Sequence, residues 1–301
     1  MVRHPPGTIE STERVPAMNQ PLVLDPANDR LDDHDRGLVF DLVTLDRRRL
    51  LKLLGFGGVS ATLFTIAGCG PAGATGTPSG SATAAASAVD ASCAIIPEET
   101  AGPYPGDGSN GPNVLAESGV VRSDITASFG SSTTVAEGIP LTIQLTIEDG
   151  ADCAPLAGAA VYLWHCNREG EYSLYSEAVA DENYLRGVQA ADDRGLVTFR
   201  SIFPACYSGR WPHIHFEIYP SLELATNEAN KIATSQIALP KDACDAVYAT
   251  DGYEQSVSNL TQVSLTSDNV FGNDGGAQQL GTIGGSVDDG FTVSLTVPVD
   301  A

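Results

Sequence analysis

Hydrophobic and polar residues alternate along much of the chain beyond residue 93, with a period of two residues. In the stretch 139–148 every second residue from Ile139 is apolar, and the stretch 291–297 repeats this pattern from Phe291. Because successive side chains of a strand point to opposite faces of a sheet, the alternation predicts half-buried strands. Turn-forming Gly, Asn, Asp and Pro clusters separate the strand-like runs, which are 139–148, 160–165, 196–202, 213–219, 232–239, 257–265 and 291–297.

Several short strands without a long helical period are typical of a β-sandwich. We therefore predict an all-β fold, an antiparallel β-sandwich with long loops. One short surface helix is expected at 241–249.

The composition divides the chain into three regions. Residues 1–69 form a leader, in which a polar stretch is followed by paired arginines at Arg47 and Arg48 and an apolar run that ends at Cys69. Residues 70–92 are almost entirely Gly, Ala, Ser, Thr and Pro, which predicts a flexible linker. The strand pattern occupies residues 93–301, which we assign to a single β-sandwich domain.

The leader resembles a twin-arginine export signal that ends in a lipobox, Ile66-Ala67-Gly68-Cys69. The resemblance implies an exported lipoprotein, at the cell surface or in the periplasm, which carries lipid on Cys69. The alternative is a transmembrane anchor. The apolar run is shorter than the roughly 20 residues that a bilayer requires, and it contains glycines. A lipid anchor is therefore the favoured interpretation, and the only expected contact with a membrane.

The charge of the chain excludes some partners. The formal net charge is −22, and after Cys69 there are 8 Lys and Arg residues against 29 Asp and Glu residues, a balance of −21. Such a surface repels nucleic acid and gains little from anionic lipid. We expect no nucleic-acid partner, and the sequence leaves the oligomeric state open.

Five cysteines remain after Cys69, an odd number that cannot pair completely. Export favours disulfides. We expect a Cys206–Cys244 pair and a Cys93–Cys153 pair, with Cys166 as a buried free thiol.

Two short segments supply the candidate chemistry. His213 and His215 are two residues apart in a predicted strand, so their side chains share one face, at one edge of the predicted sandwich. Tyr207 precedes them on a turn, and Tyr172 follows the run 160–165. Two phenols and two imidazoles suit Fe(III), because a highly charged hard cation favours phenolate oxygen, whereas zinc sites favour Cys, His and carboxylate.

Four segments, in order, resemble the intradiol ring-cleavage dioxygenase family, to which catechol 1,2-dioxygenase and protocatechuate 3,4-dioxygenase belong. The resemblance spans residues 93 to 270. It is carried by Glu99-Thr100-Ala101-Gly102-Pro103-Tyr104, by Trp164 to Ser173, by Arg186-Gly187 with Asp193 to Phe199, and by Pro204 to Phe216.

The resemblance implies a non-haem Fe(III) cofactor with four protein ligands, Tyr172, Tyr207, His213 and His215. It further implies that a catechol displaces hydroxide and Tyr207 from the iron, and that Tyr207 or the hydroxide takes up the released protons. Arg210 would face the substrate ring and stabilise negative charge. Gln236 and Tyr104 would line the substrate pocket.

The implied activity inserts both atoms of O2 into a catechol-type aromatic between its two hydroxylated carbons, and gives a muconate-type diacid. Two alternatives stay open. One is a non-catalytic cell-surface β-sandwich that binds a ligand, and the other is a zinc enzyme that uses His213 and His215. The identity of the catechol is not predicted.

Overall fold

The structure, a computed structural model, describes Met1 and residues 93–301. The predicted leader, the linker and the lipidation site Cys69 lie outside the described residues. The strands of the described part are β1 Pro140–Asp149, β2 Ala160–Trp164, β3 Arg186–Ala190, β4 Leu196–Ile202, β5 His213–Tyr219, β6 Ala233–Ala238, β7 Thr282–Ser286 and β8 Gly290–Val299. Its α-helices are α1 Lys241–Tyr248 and α2 Glu254–Leu260, and neither they nor any other described helix could cross a bilayer.

The strands form two four-stranded sheets, as the predicted sandwich requires. The first sheet has the order β4-β1-β8-β7 and the second the order β3-β2-β5-β6. The second sheet is antiparallel throughout. In the first sheet β1 and β8 run parallel, so the prediction of a wholly antiparallel sandwich is wrong at this pair. A parallel pair needs a long connection, and here most of the domain lies between the two strands.

Most of the predicted strands are confirmed, but the run 257–265 is not a strand. Its first residues belong to α2, whose buried side chains are Ser256, Asn259 and Leu260, spaced as on one helical face. Ser256 Oγ accepts a hydrogen bond from the Cys206 amide, and the Asn259 side chain donates to the Cys206 carbonyl. Buried polar contacts stabilise this helix. The spacing of apolar residues in the sequence does not reveal such contacts.

The hydrophobic core fills the space between the sheets. The alternate residues Ile143 and Val293 of the first sheet pack there against Leu163, Ile214 and Phe216 of the second sheet. A second apolar cluster covers the opposite, outer face of the second sheet, where loops between residues 96 and 130 and between 165 and 185 pack over it. The functional side chains described below lie on this outer face.

The cysteines pair only in part as expected. The Cys93–Cys153 disulfide is present, with Cα atoms 5.4 Å apart, and Cys166 is a buried free thiol. The predicted Cys206–Cys244 pair is wrong, since both are buried free thiols. Their sulfurs point to different carbonyls, Cys206 to that of Arg210 and Cys244 to that of Leu239.

We expect the disulfide to stabilise the domain. It closes a segment of 60 residues between Cys93 and Cys153. Chain-entropy arguments give about 4 kcal/mol for a loop of this length. The variant Cys93→Ser/Cys153→Ser should therefore lose roughly that free energy of unfolding in urea, and reductant should lower the wild type to the same value. A wild type that reductant leaves unchanged would contradict this role.

Candidate metal and substrate site

Strand β5 directs two histidines to the outer face of the second sheet. His213 and His215 are buried there, while Ile214 and Phe216 between and after them pack into the inter-sheet core. The predicted division of faces along this strand is confirmed. However, β5 is a central strand, with β2 on one side and β6 on the other. The histidines therefore lie at the beginning of a central strand, beneath loops, and not at an edge of the sheet as we expected.

Two tyrosines converge on the same point from separate loops. His213 Nε2 lies 3.1 Å from His215 Nε2, 3.2 Å from Tyr207 Oη and 3.5 Å from Tyr172 Oη. We call these four side chains the four-donor cluster. Sequence reasoning selected all four, and the fold brings them together from strand β5 and from the two loops.

Hydrogen bonding fixes the tautomer of His213. Its Nδ1 lies 2.5 Å from the carbonyl oxygen of Trp211, which accepts a hydrogen bond and cannot donate one. The proton is therefore on Nδ1, and the lone pair of Nε2 points into the four-donor cluster. Burial lowers the pKa of both His213 and His215 well below the usual value, and the charge of Arg210 lowers it further. Both imidazoles are thus neutral, as ligands must be.

Burial shifts the pKa of the Tyr172 phenol in the opposite direction. It raises the pKa of Tyr172 well above the usual value, and the neighbouring Tyr207 oxygen raises it further. An isolated buried phenol would keep its proton, whereas a bound cation favours the phenolate. A highly charged cation therefore stabilises the ionised cluster more than a cation of lower charge does.

The cluster fits a metal ion. First-row metals hold nitrogen and oxygen donors at about 2 Å, which places neighbouring donors about 3 to 3.5 Å apart. The distances from His213 Nε2, 3.1 to 3.5 Å, fall in this range. Among the described residues no three His, Cys, Asp or Glu side chains converge on a common point. The donor set is therefore phenol and imidazole, which suits ferric iron better than zinc.

Glycines allow two segments to come close to the four-donor cluster. Gly170, at φ +90°, packs against Tyr207, and a Cβ atom there would lie 3.2 Å from the Cβ atom of Tyr207. Gly102, at φ +70°, lies against the His215 ring, and its Cβ would approach Cε1 of that ring to 3.4 Å. Tyr104 follows Gly102 and stacks on Tyr172 with ring centroids 4.8 Å apart. The predicted pocket residue Tyr104 therefore borders the cluster.

Arg210 reaches the cluster from the turn before β5. Its Nη1 lies 3.5 Å from His213 Nε2, and its Nη2 donates to Gln236 Oε1 at 2.7 Å. Gln236 pairs with His215 in the β5–β6 register and donates to the Thr100 carbonyl. Gln236 is fully buried, so it contacts the site through Arg210 and the Thr100 segment.

Sequence reasoning missed Asp268, which aims Arg210. Its Oδ2 lies 3.0 Å from Arg210 Nε and accepts the Trp211 amide, and both side chains of this ion pair are almost fully buried. Its Oδ1 accepts the amides of Val270 and Phe271. No motif marks an aspartate 58 residues from its partner, so the sequence alone gave no signal.

We expect Asp268→Asn to destabilise the domain and to misplace Arg210. Removing one partner of a buried ion pair leaves an uncompensated charge and costs about 3 kcal/mol. A misplaced guanidinium should also lower kcat roughly 10- to 100-fold. The control Asp245→Asn breaks an exposed pair with Lys241 and should cost under about 0.5 kcal/mol. Urea unfolding and steady-state kinetics measure both effects, and equal behaviour of the two variants would contradict the assignment.

The remaining described histidine takes no part in the cluster. His165 Nδ1 lies 2.7 Å from the Cys166 carbonyl oxygen, and its Nε2 lies 2.6 Å from Ser201 Oγ. Burial lowers its pKa to about 4. Its neighbour Trp164 faces the site instead and stacks on the His215 ring at 4.8 Å. Trp164 thus holds the orientation of a member of the four-donor cluster, and it packs in the second apolar cluster, on the outer face of the sheet.

Comparison with known proteins agrees with this architecture. The family model described as Dioxygenase matches residues 110–222. Chlorocatechol 1,2-dioxygenase of Rhodococcus opacus is 38% identical over 53 residues, which is 18% of this chain and 21% of that protein. Catechol 1,2-dioxygenase 2 of Acinetobacter lwoffii is 39% identical over 59 residues, 20% of this chain and 21% of that protein. The chain thus spans about a fifth of the length of the curated relatives it matches.

A solved structure extends the likeness over a larger part of the chain. An intradiol ring-cleavage dioxygenase from Tetranychus urticae superposes with a TM-score of 0.56 at 26% identity, over 69% of this chain and 95% of that chain. In fold and in part of its sequence, the chain is similar to intradiol ring-cleavage dioxygenases.

Proposed function

We propose that this protein is a non-haem Fe(III) dioxygenase that cleaves a catechol-type aromatic between its two hydroxylated carbons. The observation that carries the proposal is the convergence of Tyr172, Tyr207, His213 and His215, with the three other donor atoms 3.1 to 3.5 Å from His213 Nε2. The names of the relatives support the same chemistry.

Three of the four donors are suited to hold the iron throughout. His213, His215 and Tyr172 are almost fully buried. Trp164 stacks on His215, Tyr104 stacks on Tyr172, and the Trp211 carbonyl accepts a hydrogen bond from His213 Nδ1, which limits the movement of all three. When bound, ferric iron would supply a Lewis-acid centre that withdraws electron density from a catechol and activates its ring towards O2.

Tyr207 is suited to move. It is half-buried, whereas Tyr172 is buried, and its loop neighbour Ser208 is exposed. As a phenolate, the form that a bound cation would favour, Tyr207 Oη can therefore turn outwards as a catechol enters, accept the proton that a catechol hydroxyl gives up and become a neutral phenol. This role needs a phenol with solvent on one side, and Tyr207 is the member of the cluster that has it.

Arg210 supplies fixed positive charge beside the reacting ring. Asp268 and Gln236 hold the guanidinium on two sides, so that Nη1 faces the four-donor cluster. A preorganised buried donor stabilises negative charge that develops on the ring without reorganising at that moment. Gln236 positions this arginine.

The reaction is tested by product and by isotope. The protein, purified from cells supplied with iron, should consume one O2 per catechol and form a ring-opened diacid that carries both atoms of 18O2. If the protein consumes no O2 with any of the catechols tested, a non-catalytic binding domain would be favoured. A product opened beside the two hydroxylated carbons, and not between them, would contradict the intradiol assignment.

We further propose that the chain is an exported lipoprotein, anchored through Cys69. The proposal rests on the twin-arginine pattern and the lipobox of the leader. The Cys93–Cys153 disulfide adds support, because such bonds persist in oxidising compartments. Metabolic labelling with a radioactive fatty acid, lost in Cys69→Ala, tests the anchor, and equal labelling of both proteins would exclude it.

A further inference from the structure

The domain is poor in cations, and each of them is already engaged. Residues 93–301 contain 8 Lys and Arg residues against 28 Asp and Glu residues. Five of the eight form ion pairs on or near the surface: Arg168 with Glu137 and Glu169, Arg194 with Asp192, Arg200 with Asp124, Lys241 with Asp245, and Lys231 with Glu217, Asp107 and Glu228. The other three are Arg122, Arg186 and Arg210.

These three arginines donate inwards. Arg122 donates to main-chain carbonyls, among them those of Asn183 and Arg186. Arg210 is held by Asp268 and Gln236, as described above.

Arg186 lies close to the site and contacts the main chain of Tyr104. It is 1% exposed, and its guanidinium makes five hydrogen bonds. Nε donates to Ser173 Oγ, Nη1 to the Pro105 carbonyl and Tyr162 Oη, and Nη2 to the carbonyls of Tyr104 and Ser173. A guanidinium has five N–H groups, so none of them is left for a ligand.

The mouth of the site is aromatic, and two glutamates flank, in sequence, the glycine that packs against it. We define the mouth by Tyr104, Tyr207 and Gly209, which are half-buried, and Ser208, which is exposed. Gly170 packs against Tyr207, and its two sequence neighbours are Glu169 and Glu171. Arg168, next in sequence, is the cation adjacent to this turn, and two glutamates already neutralise it.

We infer that the site accepts catechols with a neutral or amine-bearing ring substituent and discriminates against those that carry a carboxylate. The inference rests on the proposed function and adds the charge class of the substrate. A ring substituent that moves from water into this mouth contacts tyrosine rings. Among the described residues, every lysine and arginine already has a partner, so none is left to pair with the substituent. A carboxylate there is desolvated without a counter-charge, which is unfavourable, whereas an ammonium group is attracted by the aromatic faces and the acidic neighbours.

Three catechols of matched size test this inference: 4-ethylcatechol, 4-(2-aminoethyl)catechol and 3,4-dihydroxyphenylacetate. At low ionic strength we expect kcat/KM for the carboxylate to be about tenfold or more below kcat/KM for 4-ethylcatechol. We expect kcat/KM for the amine to equal or exceed the value for 4-ethylcatechol. Added salt should narrow the differences, because screening weakens electrostatic discrimination but leaves steric fit unchanged.

A charge variant at the mouth separates electrostatics from shape. Ser208→Arg adds a cation beside Tyr207, and Ser208→Gln is the matched uncharged control. We expect the ratio of kcat/KM for the carboxylate to that for 4-ethylcatechol to rise about fivefold or more in Ser208→Arg relative to Ser208→Gln. An unchanged ratio would contradict an electrostatic origin.

The outcomes distinguish the two proposals. Cleavage of the carboxylate and of 4-ethylcatechol with similar kcat/KM, or discrimination that salt does not alter, would overturn the inference and leave the dioxygenase intact. A protein that cleaves none of the three, although it is loaded with iron, would instead overturn the proposed function.

Discussion

His215→Ala should lose iron and with it all measurable dioxygenase activity. The variant removes one of two imidazole donors whose Nε2 atoms are 3.1 Å apart, and the two phenols and His213 alone do not complete a four-donor shell. It also removes one of the two rings that stack on Trp164, while the Tyr162 ring remains. Iron content per chain and the visible absorption band of ferric tyrosinate measure the loss directly.

The matched control is another fully buried histidine of the same domain. His165→Gln keeps a polar side chain near the Cys166 carbonyl and Ser201, but His165 does not face the four-donor cluster. It should retain iron and colour even where its unfolding midpoint falls. Circular dichroism confirms that both variants are folded. Retention of iron by folded His215→Ala would contradict the ligand assignment.

Arg210→Met should keep the iron but lower kcat about 10²- to 10³-fold. Preorganised donors that face developing negative charge are worth this much in comparable sites. The guanidinium is not a metal donor, so iron content and the position of the visible band should change little. Steady-state kinetics on an uncharged catechol, together with iron analysis, separate the two effects.

Loss of Arg210 leaves the buried carboxylate of Asp268 without its partner. The double variant Arg210→Met/Asp268→Asn removes that charge and should recover stability without recovering kcat. A double variant as active as the wild type would show that Arg210 serves packing and not charge stabilisation.

The alternation of apolar and polar residues predicted those strands whose two faces differ in polarity. Strands β4 and β5 have the bounds given by their patterns, because a period of two residues fixes both the strand and its faces. Strand β7 was missed, since its Thr-Ile-Gly-Gly-Ser sequence lies at the edge of a sheet and is partly exposed. Apolar and polar residues do not alternate in a strand that buries few side chains, so such a strand cannot be predicted from its pattern.

The site could be predicted where its residues are local in sequence or carried by a motif. His213 and His215 share a face by their spacing alone, and Tyr172 and Tyr207 were selected because two phenols and two imidazoles suit Fe(III). Asp268 and the five hydrogen bonds of Arg186 were not foreseen, because each joins segments that are far apart in the chain. The pairing of cysteines likewise depends on where their sulfurs point, and the expected Cys206–Cys244 bond was wrong for that reason.

One measurement bears most directly on the central claim that paired phenols and imidazoles hold ferric iron. The purified wild type should contain about one iron per chain and absorb visible light, and Tyr172→Phe should weaken and shift that band. A colourless wild type that binds stoichiometric zinc, or a band that is unchanged in folded Tyr172→Phe, would contradict the account.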